Sequence, residues 1–411
     1  MQRYVAAVIL MQQNFKDITF LFSDSNYLEN IRNLQPEMIF SDASIAFLSA
    51  LSTELMQSPR MREYPDVATF AFFCRKAHLL SLQKNYIQSG IRLGRGVVFH
   101  IAPSNVPVNF AYSMLVGILS GNVNIVRVPS KSFEQVEIIC EAVRKVALLP
   151  VFSAISQRLF LIQYDRQNEA TSTFSFLCDV RVIWGGDQTI AQIRKSALPP
   201  RSYDLTFADR YSFAVINANQ YVLEQNTKRV AEAFFNDTYL FDQNACTAPH
   251  LIIWTGTTEN IKNAKQIFWS AIESKIQEYE LSPILSVDKL STLYIQSQDK
   301  AIIKRDIPST NKLWRVAVSE LTNDIDKYRC AGGYFLEYDA ASLKELETIV
   351  NRKYQTMAYY GYTKEQLSDL VIDMRLNGID RIVPLGKTTD FALIWDGYDL
   401  ISTLSRECTI L

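Results

Sequence analysis

The stretch Asp242-Gln243-Asn244-Ala245-Cys246-Thr247-Ala248-Pro249-His250 puts one cysteine in a short polar loop, ahead of the apolar run Leu251-Ile252-Ile253-Trp254. A cysteine thiolate is a good nucleophile toward acyl groups, and its attack on a thioester exchanges one thioester for another of similar energy. A thiol at the foot of a strand, just past a helix, is placed to face a cleft between two domains. The same loop would also suit a small residue filling a turn. His250, four residues on, could tune the thiol unless the strand it opens turns the ring elsewhere.

The other cysteines, at 74, 140, 178, 330 and 408, lie far apart with no C-x-x-C pair. That usage reads as separate thiols in a reducing compartment, not as bridges. The three histidines, 78, 100 and 250, never recur at i, i+4, so the expectation is that no metal takes part.

The cysteine loop needs elements to hold it, and hydrophobic periodicity supplies them. Up to about residue 90 the pattern is helical, punctuated by Pro36, Pro59 and Pro65. From 95 to 206 short β-branched runs alternate with helical stretches. The runs are Val97–Ile101, Asn124–Val128, Leu159–Ile162 and Val180–Trp184; Phe110–Leu119 is apolar almost all round, and Ser132–Ala147 is amphipathic. This predicts a parallel sheet covered on both faces. Ligands of such sheets lie beyond the carboxyl ends of the strands, where Pro103-Ser104-Asn105, Pro129-Ser130-Lys131 and Gly185-Gly186-Asp187 all fall. A second α/β unit follows, with strands at Phe213–Ile216, Leu251–Trp254, Trp314–Val318, Tyr334–Tyr338 and Met357–Tyr360. Helices are predicted over Tyr221–Phe235, Ile261–Tyr279, Ala341–Arg352 and Lys364–Leu376.

The expected organisation is a helical N-terminal region over 1–90, a dinucleotide-binding α/β domain over 91–207 and a catalytic α/β domain over 208–380. A segment over 381–411 then returns to the first domain or forms an oligomer interface. The chain has 411 residues, 48% hydrophobic and 21% charged, with 42 Lys plus Arg against 43 Asp plus Glu. That balance is ordinary for a soluble protein and gives no basic surplus for nucleic acid. The apolar run Val5–Met11 is too short to span a bilayer and lacks a small-residue cleavage site, so a cytoplasmic protein is expected.

No G-x-G-x-x-G is present, and Gly94-Arg95-Gly96 precedes a strand instead of following one. Other motifs resemble those of the aldehyde dehydrogenase superfamily. Pro103-Ser104-Asn105-Val106-Pro107 is similar to its Pro-x-Asn-x-Pro turn. Arg127-Val128-Pro129-Ser130-Lys131 resembles the next strand end, with a basic residue and then Pro. Trp184-Gly185-Gly186-Asp187 resembles the turn beside the nicotinamide, and Cys246 follows Gly186 by 60 residues, in family order. Toward the C-terminus, Gly378-Ile379-Asp380-Arg381-Ile382-Val383-Pro384-Leu385-Gly386 and Trp395-Asp396-Gly397-Tyr398-Asp399-Leu400 resemble the fatty-acid reductase (LuxC-like) branch. The likeness covers roughly residues 90 to 405.

The resemblance implies two three-layer α/β domains with a cleft between them. It implies reduction of a long-chain acyl-CoA or acyl-protein thioester to the aldehyde through a cysteine-bound acyl group. Cys246 would be the nucleophile, with the Asn105 amide and the Cys246 N–H as oxyanion donors. Ser104, Arg127, Ser130, Lys131, Trp184, Gly185 and Gly186 would hold the cofactor. Two cations and a hydroxyl suit a 2′-phosphate, which favours NADPH over NADH; a solvated basic loop would look the same. An acyl-protein synthetase is the implied partner, and a homo-oligomer the implied assembly.

Two positions depart from the superfamily. Asn244 stands where Gln is frequent, two before the cysteine. The stretch Leu205–Ser212 offers only Asp209 where hydrolytic members carry a water-activating glutamate. A reductase has no need of that base, so its absence favours reduction. Arg329 occupies roughly the place of a loop that touches the nicotinamide ribose. The rival readings are an NAD(P)-dependent dehydrogenase of free aldehydes, a reductase of an acyl phosphate, and a non-catalytic subunit that binds an acylating partner.

Overall fold

A computed structural model describes residues 18–86, 90–103, 106–165, 169–298, 302–306 and 310–410. Ser104 and Asn105 lie outside the described residues. The chain divides into two compact units, 1–208 with 398–411, and 209–397.

In the first unit the strands are β1 (Thr19–Phe22), β2 (Ile91–Gly94), β3 (Val97–Ile101), β4 (Val123–Arg127), β5 (Leu159–Gln163), β6 (Val180–Trp184) and β7 (Tyr203–Phe207). Six of them form one sheet in the order β1-β5-β4-β3-β6-β7. Only β1 runs antiparallel to its neighbour; the other pairings are parallel. Both faces of β3 are buried, which is why its sequence is continuously apolar except for His100. Val97, Phe99 and Ile101 pack into a core with Phe174, Leu177 and Ile190, while His100 faces the helix Asn109–Leu119. Period-two alternation thus sorts one strand between two layers. The N-terminal region supplies helices, among them Asp42–Gln57, and also the edge strand β1. β2 pairs with the terminal strand Ser405–Cys408. Arg92 secures that pairing, donating to Ser405 Oγ (3.0 Å), Glu407 Oε2 (3.0 Å) and the Ser402 carbonyl (2.9 Å).

In the second unit the strands are β8 (Tyr211–Asn217), β9 (Pro249–Thr255), β10 (Ile302–Asp306), β11 (Trp314–Val318), β12 (Tyr334–Ala340), β13 (Tyr354–Tyr360) and β14 (Arg381–Pro384). They form a seven-stranded sheet ordered β10-β11-β12-β9-β8-β13-β14, parallel except for β10. Alternation again makes two cores. Phe213, Val215, Leu251, Ile253 and Leu336 face one, and Ala214, Ile216, Ile252, Trp254 and Phe335 the other. Arg381–Pro384 stays with this unit through its pairing to β13.

Two predicted helices differ in the structure. The one expected over Tyr221–Phe235 is a single turn, Ala218–Tyr221, followed by a separate helix, Thr227–Thr238. Asn217 and Asn226 each cap a helix start, and the second cap resets the chain. The stretch Ala341–Arg352 is a 3₁₀ segment, Leu343–Thr348, opened by a Ser342/Glu345 capping box. Among the described residues, no helix is long and apolar enough to cross a membrane.

Candidate active site

The Cys246 loop lies between the helix Thr227–Thr238 and β9, at the amino edge of the second sheet. Asp242 and Gln243 both take left-handed backbone angles (φ 52° and 62°), which turn the chain sharply. Gln243 is buried and uses its whole hydrogen-bonding capacity. Its Nε2 donates to the carbonyls of Pro249 (2.9 Å) and Tyr334 (3.1 Å); its Oε1 accepts from the N–H groups of Gly333 (3.0 Å) and Tyr334 (3.2 Å). The loop is thereby clamped to the first residues of β9 and β12.

A second tie holds the cysteine itself. The Ser212 hydroxyl donates to the Cys246 carbonyl (2.7 Å) and accepts from the Thr356 N–H (3.2 Å), joining the loop to β8 and β13. Cys246 is half-buried. Burial, and next the negative charge of Asp396, push its thiol up to about 11; Arg329, the Gln355 amide and Arg210 act in the opposite direction. Gln355 donates through Nε2 to Asp396 Oδ1. Cys246 therefore sits among the Gln355 amide, the Asp396 carboxylate and the guanidinium groups of Arg329, Arg210 and Arg381, all from the second unit.

Other candidates of this unit are occupied. Asp209 Oδ1 accepts from Arg329 Nη1 (2.9 Å), and that guanidinium also donates to the Arg210 carbonyl (2.8 Å). Arg210 pairs with Asp380 and donates to the Tyr354 carbonyl (3.2 Å). His250 directs Nδ1 to the Cys330 carbonyl (3.0 Å), so that nitrogen carries the hydrogen, and its ring stacks on Tyr211. Burial, reinforced by Arg329, holds His250 well below the ordinary imidazole range, and its buried Nε2 has no hydrogen-bond partner.

In the first unit, β4 and β6 flank β3, so Arg127 and Ile183 lie on either side of Ile101. The chain leaves β3 toward β4 and β5 on one side and β6 and β7 on the other, which makes this carboxyl edge a topological switch point. Arg127, Trp184, Gly185 and Gly186 are brought to that edge. Arg127 lies over the Tyr164 ring (4.6 Å) and donates through Nη2 to the Tyr164 carbonyl (3.1 Å), while its buried Nε has no partner. Ser130 and Lys131 are exposed on the following loop, with the Lys131 amine 5.0 Å from the Phe133 ring. Trp184 is buried, stacked on Phe207 at 3.7 Å. Gly186 opens the short helix Asp187–Ile193, and a Cβ there would meet nothing within 4 Å.

Behind this edge runs a buried polar chain that the sequence analysis did not single out. Asn124 donates to the Asn122 carbonyl (2.9 Å), which leaves its Oδ1 to accept from His100 Nε2 (3.1 Å). His100 Nδ1 then accepts from the Ser113 hydroxyl (2.8 Å), which accepts from the Trp184 indole N–H (3.1 Å). Burial lowers His100 to about 4, so the ring is neutral. The available signal was one serine in a helix otherwise apolar all round. Gln243, Gln355 and Asp396, which hold or surround the Cys246 loop, were not singled out either; for the two glutamines the signal was an amide within or beside an apolar strand.

Comparison with known proteins bears on the same assembly. The chain is 22% identical over 318 residues to a long-chain acyl-protein thioester reductase from Aliivibrio fischeri; the match covers 75% of this chain and 62% of that protein's length. Aldehyde dehydrogenase 21 from Physcomitrella patens, solved with succinate, superposes with TM-score 0.65 at 11% identity, over 98% of this chain and 88% of that one. An NAD-dependent benzaldehyde dehydrogenase from Corynebacterium glutamicum gives TM-score 0.63 at 11% identity, over 95% and 94%. Two parallel-sheet units with this strand order thus have the aldehyde dehydrogenase fold. Residues 11–407 match the acyl-CoA reductase (LuxC) family, and with that span the chain belongs to it.

Proposed function

We propose that this chain reduces a long-chain fatty acyl thioester, acyl-CoA or acyl-protein, to the aldehyde with NADPH, by way of an acyl group on Cys246. The observation that carries the reading is the Cys246 loop. Gln243 and Ser212 fix it at a sheet edge, with Gln355, Arg329 and Arg210 beside the sulfur.

The sulfur attacks the thioester carbonyl, a C–S bond forms, and the carrier's C–S bond breaks. The carrier thiolate leaves with the proton that Cys246 gives up. Negative charge on the carbonyl oxygen calls for donors; the Asn105 amide and the Cys246 N–H take that part, each worth on the order of 3 kcal/mol. Asp209, the one carboxylate of the Leu205–Ser212 stretch, is engaged by Arg329, and with no glutamate there to activate water the acyl group is left for reduction.

The residues at the carboxyl edge of the first sheet fit a phosphorylated dinucleotide. Arg127 keeps a buried Nε–H without a partner, and Gly186 leaves open space where a side chain would stand. Ser104, Arg127, Ser130, Lys131 and the Gly185-Gly186 turn would hold it, with the two cations facing a 2′-phosphate. Trp184 contributes shape, because its N–H and one ring face are already engaged. When bound, NADPH supplies the hydride. An acyl-protein synthetase as acyl donor, and a homo-oligomer, follow from the family likeness alone.

Intact-mass spectrometry after incubation with long-chain acyl-CoA, without cofactor, tests the reading. One acyl group should appear on wild type, map to Cys246, disappear on adding NADPH, and be absent from Cys246→Ala. Acylation of the alanine variant, or NADPH-dependent reduction by it, would overturn the proposal.

A further inference from the structure

Gln355 is fully buried on β13, one residue before Thr356, whose N–H binds the hydroxyl that holds the Cys246 carbonyl. The strand carrying the amide is therefore tied to the backbone of the nucleophile. One end of that amide, Nε2, donates to Asp396 Oδ1; the other, Oε1, is buried without a hydrogen-bond partner. A carboxylate only accepts, so Asp396 decides which end of the amide is which. Reversing the amide would set oxygen against oxygen. Asp396 is itself buried, and its left-handed φ of 50°, beside Gly397 at 76°, is that of a tight Asp-Gly turn, which fixes where its carboxylate stands. The Gln355 amide and the Asp396 charge also act on the thiol in opposite senses, the first favouring the thiolate and the second opposing it.

We propose that Gln355 is a catalytic residue, its amide N–H touching the Cys246 sulfur and the carbonyl oxygen under attack, and that Asp396 is the positioning residue that fixes the sense of this amide. The inference rests on Cys246 as the acyl-accepting nucleophile. As the sulfur–carbon bond forms, the carbonyl electron pair moves onto oxygen. One N–H of the amide is held by Asp396, and the second is left to receive that charge. When the carbonyl re-forms, the carrier's C–S bond breaks and its sulfur takes the proton lost by Cys246, so acyl transfer balances without a further reactant.

Two rates separate this role from mere support of the fold. The first is alkylation of Cys246 by iodoacetamide, which needs no acyl donor; the second is single-turnover acylation by acyl-CoA. The charged groups around the thiol are Asp396, Arg329, Arg210 and Arg381; only the first changes in Asp396→Asn. Removing that negative charge should speed alkylation at pH 8 about threefold or more, while acylation slows at least tenfold, since asparagine can face Gln355 with either end. Opposite movement of the two rates supports the assignment. Movement in one direction, or no change, overturns it. Gln355→Met keeps the length and loses the N–H; it should slow acylation by on the order of 100-fold and slow alkylation as well. An acylation rate within threefold of wild type overturns the proposal, and this variant decides the matter if Asp396→Asn does not fold. Wild type that is alkylated at Cys246 but never acylated would instead bring down the function itself, and the assignment with it.

Discussion

Replacing Gly117 by alanine sets two known effects against each other. In an exposed helix the change stabilises by about 1 kcal/mol, because glycine is the poorer helix former. Gly117, however, faces the buried polar chain behind the first sheet. A Cβ there would lie 1.8 Å from Asn124 Oδ1 and 2.8 Å from His100 Nε2. Either Asn124 swings away or the helix Asn109–Leu119 lifts off the sheet. The first breaks the bonds from His100 (3.1 Å) and to the Asn122 carbonyl (2.9 Å), with groups left unpaired in the interior at about 1–3 kcal/mol each. The clash outweighs the helix gain, and the net loss is about 2–4 kcal/mol. For a unit of this size that lowers its melting temperature by roughly 5–15 °C. Scanning calorimetry of Gly117→Ala, of Asn124→Ala and of the double variant checks the source as well as the size. With Asn124 shortened the worse clash is gone and only the approach to His100 Nε2 remains, so the double variant should be more stable than the sum of the singles by 1–3 kcal/mol, as expected for touching residues. A neutral or stabilising Gly117→Ala, or strict additivity, would refute the reasoning.

The neutral His100 ties stability to pH. Its folded value, about 4, lies below the ordinary 6.5, so the unfolded chain binds the proton more tightly. The contribution is complete above about pH 6.5 and is lost as pH falls toward 4, amounting to about 3 kcal/mol. Urea midpoints of wild type should fall more steeply over that window than those of His100→Gln, with His250 contributing the same sign to both. Gln243→Ala removes the four hydrogen bonds that Gln243 makes to Pro249, Gly333 and Tyr334 at the foot of β9 and β12. Hydrogen exchange at Gly333 and Tyr334 should accelerate at least tenfold, with a stability loss of about 3–5 kcal/mol.

The strands most legible in the sequence are those whose buried residues are continuous, as in β3 and β6, or alternate, as in β11. β3, β6 and β11 begin and end where their apolar runs do, at Val97–Ile101, Val180–Trp184 and Trp314–Val318. β7 went unassigned in the sequence because it is one short alternation, apolar Tyr203, Leu205 and Phe207 with polar Asp204 and Thr206, and only Leu205 and Phe207 are buried at the sheet edge. The helix Pro283–Gln296 escaped notice for a different reason: its pattern is inverted. Lys289 and Gln296 are buried, the lysine amine donating to the carbonyls of Asn311 and Gly332, while Ile284 and Ile295 stand 67% and 65% exposed. Cys246 and the ends of β4 and β6 could be picked out as candidates because a strand end announces itself locally. Gln355 and Asp396 could not, since only the pairing of β13 with β8 and the path of the chain after β14 bring them beside a cysteine more than a hundred residues earlier.

The pairing of β2 with Ser405–Cys408 has a consequence for biosynthesis. The second unit, 209–397, is continuous, whereas the first is completed only by 398–411. On the ribosome, the nascent chain has made β2 long before its partner exists. At about 5–20 residues per second the intervening unit occupies roughly 10–40 s. During that interval one edge of β2 and the Arg92 guanidinium await the untranslated segment that carries all three of its acceptors. The second unit can therefore mature first, and closure of the first waits until Ser405–Cys408 has been made.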